Sequence, residues 1–151
     1  MANHLRQQVC DRIAQILAGL TTTEDRVYQT RVYPLAQDEI PCLLIYGLTE
    51  EVDTRTLAGR RIQDRNLRVA IEAVAQVNEE LEQTLNRMAH EVEAALGADQ
   101  TLGALLSDAS RLERTEIGLT KAAEDQKPAG TARLTYVCKY ITREGAPDVR
   151  A

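Results

Sequence analysis

The sequence predicts an α+β fold: a mostly antiparallel sheet with two helices packed on one face and a protruding β-hairpin arm. Three observations lead there. Residues 3–19 and 78–97 repeat apolar side chains every three or four positions, the mark of a helix with one buried face. Leu67–Ala75 and Ala132–Tyr140 alternate with a period of two, the mark of a strand. The strands follow one another through short turns, which favours antiparallel pairing, and a sheet covered by two helices makes a two-layer sandwich. The element order read this way is α-β-β-β-α-β-β.

In the first helix Leu5, Val9, Ile13, Ile16, Leu17 and Leu20 form the apolar face. Asn3 is its expected N-cap and Gly19 its stop. A polar connection, residues 21–25, leads to Val27-Tyr28 and Val32-Tyr33-Pro34, a short extended segment ended by proline. Ala36 to Glu39 reads as a loop. Pro41 to Gly47 is nearly continuously apolar, as in a strand buried on both faces.

The stretch from Ile40 to Val77 is the most informative. The apolar strand leads into a charged arm, about residues 49–66, that turns near Leu57-Ala58-Gly59 and returns into the second strand. The outgoing limb carries Glu50, Glu51, Asp53 and Arg55; the return limb carries Arg60, Arg61 and Arg65. Opposed charges on neighbouring strands contribute roughly 0.2–1 kcal/mol per pair. A two-stranded ribbon projecting alone is marginal in water. These seven residues are therefore the candidate subunit–subunit contacts, with the arm expected to lie against another chain. Ile62 has the opposite parity to Leu67, so a bulge between them is expected.

In the second helix Val77, Leu81, Leu85, Met88, Val92 and Leu96 repeat on one face and Gly97 ends it. Its outer face is acidic, with Glu79, Glu80 and Glu82 at its start. A helical turn is expected over Leu102–Leu106 and a strand over residues 109–120. Ala122 to Gly130 reads as a loop with a turn at Lys127-Pro128-Ala129-Gly130. The tail, residues 143–151, is polar and expected to fray.

A chain of 151 residues suggests one domain, 1–151, able to bury a core without disulfides or metal. It has no Trp, no Phe and five Tyr, so the core is aliphatic and a base-stacking platform is poorly supplied. The net charge of −5 lacks the basic excess of a phosphate-gripping protein. No apolar run is long enough to span a membrane and the N-terminus has no secretory pattern, which points to assembly in a cytoplasm. Cys10, Cys42 and Cys138 are far apart and sit at apolar positions, as small core residues do.

Chemistry is hard to find. His4 and His90 are the only histidines and are read as solvated; no metal, cofactor or catalytic residue is assigned. Nucleotide-binding and nucleophile-elbow motifs are absent. The acidic pairs read as solvated faces. Arg60, Arg61, Arg65 and Arg68 could touch phosphates, but arginine is also enriched at protein interfaces.

The order of residues carries a resemblance. His4-Leu5-Arg6-Gln7-Gln8-Val9 opens the first helix and Leu17-Ala18-Gly19-Leu20-Thr21-Thr22-Thr23 closes it. Arg26-Val27-Tyr28, Arg31-Val32-Tyr33-Pro34-Leu35 and Pro41-Cys42-Leu43-Leu44-Ile45-Tyr46 follow, and Gly130-Thr131-Ala132-Arg133-Leu134-Thr135-Tyr136 stands late in the chain. Together they resemble the minor tail proteins of long-tailed bacteriophages and prophages, in particular the tail terminator (tail completion) family. The resemblance implies a non-enzymatic virion protein of the tail. Such a protein forms a hexameric homo-oligomeric ring on the head-proximal end of the tail tube, stops tube polymerisation and presents the head-docking surface. Its expected partners are the tail-tube protein, head–tail connector proteins, and DNA that passes through the lumen without specific binding. Glu79, Glu80 and Glu82, if they faced that lumen, would repel DNA phosphates. The alternatives are a head–tail connector or stopper subunit, a small nucleic-acid-binding module, or a small-molecule enzyme or ligand-binding domain.

Overall fold

The structure is a computed structural model that describes residues 3–31, 39–57, 59–77, 79–120 and 129–151, the side chains of Thr56, Leu57, Arg60 and Thr120 excepted. The expected segment Val32-Tyr33-Pro34, most of the 36–39 loop, Ala58, and residues 122–128 with the Lys127-Pro128 half of the expected turn lie outside the described residues.

The elements in chain order are α1 (Leu5–Leu17), β1 (Val27–Tyr28), β2 (Cys42–Leu57), β3 (Arg60–Gln76), α2 (Leu81–Gly97), β4 (Arg111–Thr120), β5 (Ala129–Arg143) and β6 (Ala146–Arg150). The strands make one sheet in the order β1-β2-β3-β5-β4, with β6 paired to the end of β5. All pairings are antiparallel except β1 with β2, which is parallel over two residues. The α+β class and the two helices on the sheet are as expected.

The core lies between that sheet and both helices. The period-two stripes point into it: Leu67, Val69, Ile71, Ala73 and Ala75 from β3, and Ala132, Leu134, Cys138 and Tyr140 from β5, all buried. Leu5, Val9, Ile13 and Leu17 of α1 and Leu85, Met88, Val92 and Leu96 of α2 meet them. The apolar run of β2 divides between faces. Leu43 and Ile45 join this core, while Cys42 and Leu44 pack with Val74, Tyr28 and Tyr46 on the sheet's other side. Such a strand has to be apolar throughout. All three cysteines are free and buried, and burial pushes the Cys10 and Cys42 thiols up to about 11 and that of Cys138 to about 12. Thiols so protonated are poor nucleophiles.

Four expectations are corrected. The N-cap of α1 is His4, not Asn3: the His4 Nδ1 atom accepts from the Arg6 backbone N–H at 3.0 Å. The bulge is in β2 between Gly47 and Thr49, not in β3, whose register to β5 runs unbroken from Ile62 to Gln76. Gly47 inside an apolar strand is where a bulge costs least. The tail does not fray. It turns at Gly145 into β6, the Ala151 N–H donates to the Ile141 carbonyl at 2.9 Å, and the Gln8 side chain donates to the Asp148 carbonyl at 2.9 Å. The tail contributes backbone groups to both bonds, which polar composition does not reveal. Residues 102–106 are turns, with Leu102, Gly103 and Ala104 all at positive φ and Leu102 and Leu106 buried.

Candidate subunit interface

The arm is the continuation of β2 and β3 beyond the part of the sheet that carries the main core. It is not a two-stranded ribbon standing alone, as expected from sequence. β5 follows β3 as far as the Ile62↔Arg143 pair, so only the last residues of the hairpin lack a third strand on that side. The bulge resets the parity of β2 so that Glu50 falls on the helix side of the sheet, opposite Leu67.

That reset places a carboxylate inside the protein. The Glu50 side chain is 7% exposed and Arg65, which faces it at 3.3 Å, is 12% exposed. Arg6 of α1 reaches the same Glu50 oxygen, and the Tyr140 hydroxyl donates to the other one. Arg65 is held further: Nε donates to the Thr142 hydroxyl at 3.0 Å, one terminal nitrogen donates to Gln63 at 2.9 Å, and the guanidinium lies 6.0 Å from the Tyr140 ring centre. A buried charge pair is tolerated when its remaining donors and acceptors are met, and here they are. Burial first, then the bond to Glu50, pushes the Tyr140 hydroxyl well above its ordinary value. This knot joins the N-terminal end of α1, the base of the arm and β5.

His4 belongs to the same knot and is not the solvated residue expected. Its Nε2 lies 3.3 Å from an Arg65 nitrogen. Burial is the first cause that holds the imidazole below its ordinary 6.5. Arg6 and Arg65 add to it, while Glu50 and Asp148 act the other way. The folded chain therefore takes up this proton less readily than the unfolded chain. The stability that neutral His4 contributes is complete above pH 6.5 and is lost as pH falls through the folded value. His4→Ser keeps an N-cap acceptor without a titrating ring. It should reduce the difference in urea midpoint between about pH 7.5 and about pH 5. An unchanged difference would contradict this role.

The other candidate residues lie further out. Arg55 of the outgoing limb pairs with Asp64 of the return limb through two contacts, 2.5 and 3.0 Å, the reverse of the sense expected from sequence. Asp53 stands opposite Asp64, and Arg55 neutralises that like-charge contact. Arg61 pairs with Glu144 beyond β5 at 3.3 Å. Glu51, its side chain 73% exposed, makes only a 3.5 Å contact with Arg68. Arg60 is in β3 at the arm's turn, and its side chain lies outside the described residues. Glu79 and Glu80 precede α2 and Glu82 is in its first turn; all three are exposed.

Of the arginines considered for phosphate contact, Arg61, Arg65 and Arg68 are paired with acids. Arg68 reaches across β5 to grip both oxygens of Glu113 at 2.9 and 3.1 Å, and that grip holds the Glu113 carboxyl below its ordinary value. One terminal nitrogen of Arg133 donates to both oxygens of Glu116 at 3.1 and 3.2 Å, and Tyr46 donates to the buried Glu72 at 2.9 Å. The sheet face away from the helices is thus a ladder of cross-strand charge pairs. Sequence reasoning missed it because β4 is inserted at the edge, after β3 and before β5. Among the described residues no group of three or more acidic, histidine or cysteine side chains is placed to hold a metal ion, and no helix is long and apolar enough to cross a membrane.

Comparison with known proteins returns little. No family model matches the chain, and none of the curated proteins matches it. Among solved structures, a chain of the structure titled "Virion of native gene transfer agent (GTA) particle" is similar over 90% of both chains, at 19% identity and a TM-score of 0.46. The likeness is loose.

Proposed function

We propose that the chain is a structural, non-catalytic virion subunit: a tail terminator that closes into a ring on the head-proximal end of a tail tube, stops tube growth and offers the surface that docks the head. Two supports are the residue order set out above and the shape of the subunit. The observation that carries the reading is the arm. Its base is locked by the buried Glu50–Arg65–Tyr140 knot, yet its outgoing strand, from Thr49 onward, has no strand partner on its outer edge among the described residues. A long open edge is a liability unless something pairs with it, and strand addition is a standard way for subunits to join. Repetition of one such head-to-tail contact closes a ring when its rotation closes. The exposed acids Glu79, Glu80 and Glu82 suit a surface past which DNA slides without binding.

The test shortens the arm's tip, replacing residues 56–61 by a two-residue turn and leaving the knot intact. The variant should fold and should fail to limit tail length, so that electron micrographs of complemented lysates show tails of scattered length. Tails of normal length made with the shortened subunit would exclude the arm from this role.

A further inference from the structure

We propose that copies of this chain join edge to edge, with the outer edge of β4 in one copy paired antiparallel to the outer edge of β2 beyond the bulge in the next. This rests on the ring reading above and names the two surfaces that would make the ring.

Strand direction comes first. Every step along β2-β3-β5-β4 is antiparallel, so β2 and β4, the two ends of this run, point in opposite directions. A second copy related by rotation about an axis inclined to the strands by well under 90° brings its β2 beside the first copy's β4. The junction is then antiparallel, and the helices of both copies stay on the same side of the shared sheet.

Access comes second. β1 covers β2 only at Leu43 and Leu44, and the Arg31 guanidinium caps the Gly47 carbonyl. From Thr49 on, β2 is an open edge among the described residues, as is β4 along its outer side.

Register and charge come third. One pairing places Arg114 opposite Glu51, lets the β4 bulge absorb Glu113, and sets Leu112 opposite Val52 and Arg111 opposite Asp53. Asp53 and Arg111 enter none of the ion pairs among the described residues. Glu51 and Arg114 have only long contacts, 3.5 and 3.8 Å, with side chains 73% and 70% exposed. Val52, 47% exposed, is one of the large apolar side chains left in water. The pairing thus joins Asp53 and Arg111, which enter no ion pair among the described residues, joins Glu51 and Arg114, which have only long ones, and gives an exposed valine a leucine. A two-fold pairing of β2 with β2 centred on Val52 would set Glu51 against Asp53, and one centred on Asp53 would set that residue against its own copy.

Closure comes last. Within one subunit Arg114 is level with Ala70 of β3, and Glu51 with Asn66. Bringing Arg114 to Glu51 offsets adjacent copies by about four residues, ~13 Å along the strands, for each four-strand width of ~19 Å. That corresponds to a strand tilt of roughly 35°, within the range at which sheets close into barrels.

The test uses the full chain with Asp53→Cys and Arg111→Cys, since the native cysteines are buried. Purified D53C chains mixed with R111C chains at high concentration under mild oxidation should give disulfide-linked dimers. Each variant alone should give none, and the double variant should give a ladder of larger species. In parallel, Asp53→Arg or Arg111→Asp should weaken self-association by about tenfold, and the combination should restore it. Dimers from either variant alone, no cross-linked product from any mixture, or no restoration by the double reversal would each overturn the proposal. Tubes still capped by a chain that fails to cross-link would remove this junction and leave the terminator reading. Cross-linking by a chain that does not cap tubes would do the reverse.

Discussion

Arg65→Met should cost the subunit about 3 kcal/mol in urea unfolding, the low end of what breaking a buried charge pair costs. Glu50 would stay in a site where its side chain is 7% exposed, with its buried cationic partner gone. Arg6 still reaches it, but the Arg6 side chain is 47% exposed and lends a charge that water screens. The Thr142 hydroxyl and Gln63 would lose a donor as well. Glu50→Met combined with Arg65→Met should recover most of the loss, because an apolar pair in place of a buried ion pair is often close to neutral. A single substitution within about 0.5 kcal/mol of the parent would show that the knot does not hold the arm.

Gly130→Ala should destabilise by about 2 kcal/mol, for an unrelated reason. Gly130 is in β5 opposite Leu119, under the first turns of α2. A Cβ there would stand 2.9 Å from a Leu119 methyl, 3.0 Å from a Leu85 methyl and 3.1 Å from the Gly118 carbonyl oxygen. Leu119 is exposed and can move; Leu85 is fully buried and the carbonyl is in the sheet, so the strand or the helix has to shift. Gly97, at the end of α2, is the matched control: a Cβ there meets nothing within 4 Å, and Gly97→Ala should stabilise by about 0.5 kcal/mol. Equal effects at the two glycines in a urea series would contradict the packing argument.

The two kinds of position also show what could be read in advance. Periodicity identified the core stripes because burial on one face of a helix or strand imposes a repeat that no other force does. It identified both helices and the β3 and β5 stripes residue by residue. Backbone pairing leaves no such repeat, so β6 in Ala146–Arg150, the parallel pairing of β1 with β2 and the placement of β4 outside β5 were not legible. The knot was half legible. Tyr140 belongs to the β5 stripe and was legible as core-facing; Arg65 shares parity with Leu67–Ala75, but its charge read as a contact to another chain. Glu50 was not, because the bulge at Gly47–Thr49 shifts its parity, and a single interior glycine was its only trace. The partners of other exposed charges lie on segments that come together only in the folded sheet, which is why Arg61 pairs with Glu144 and Arg68 with Glu113.

The central claim is that this chain closes the growing end of a tube. The most direct measurement adds the purified chain to polymerising tail-tube protein and records tube lengths by electron microscopy. Tubes that stop growing, each with a ring of added density at one end, are the predicted result. Tube lengths unchanged by any concentration of the chain, with both ends bare, would contradict it.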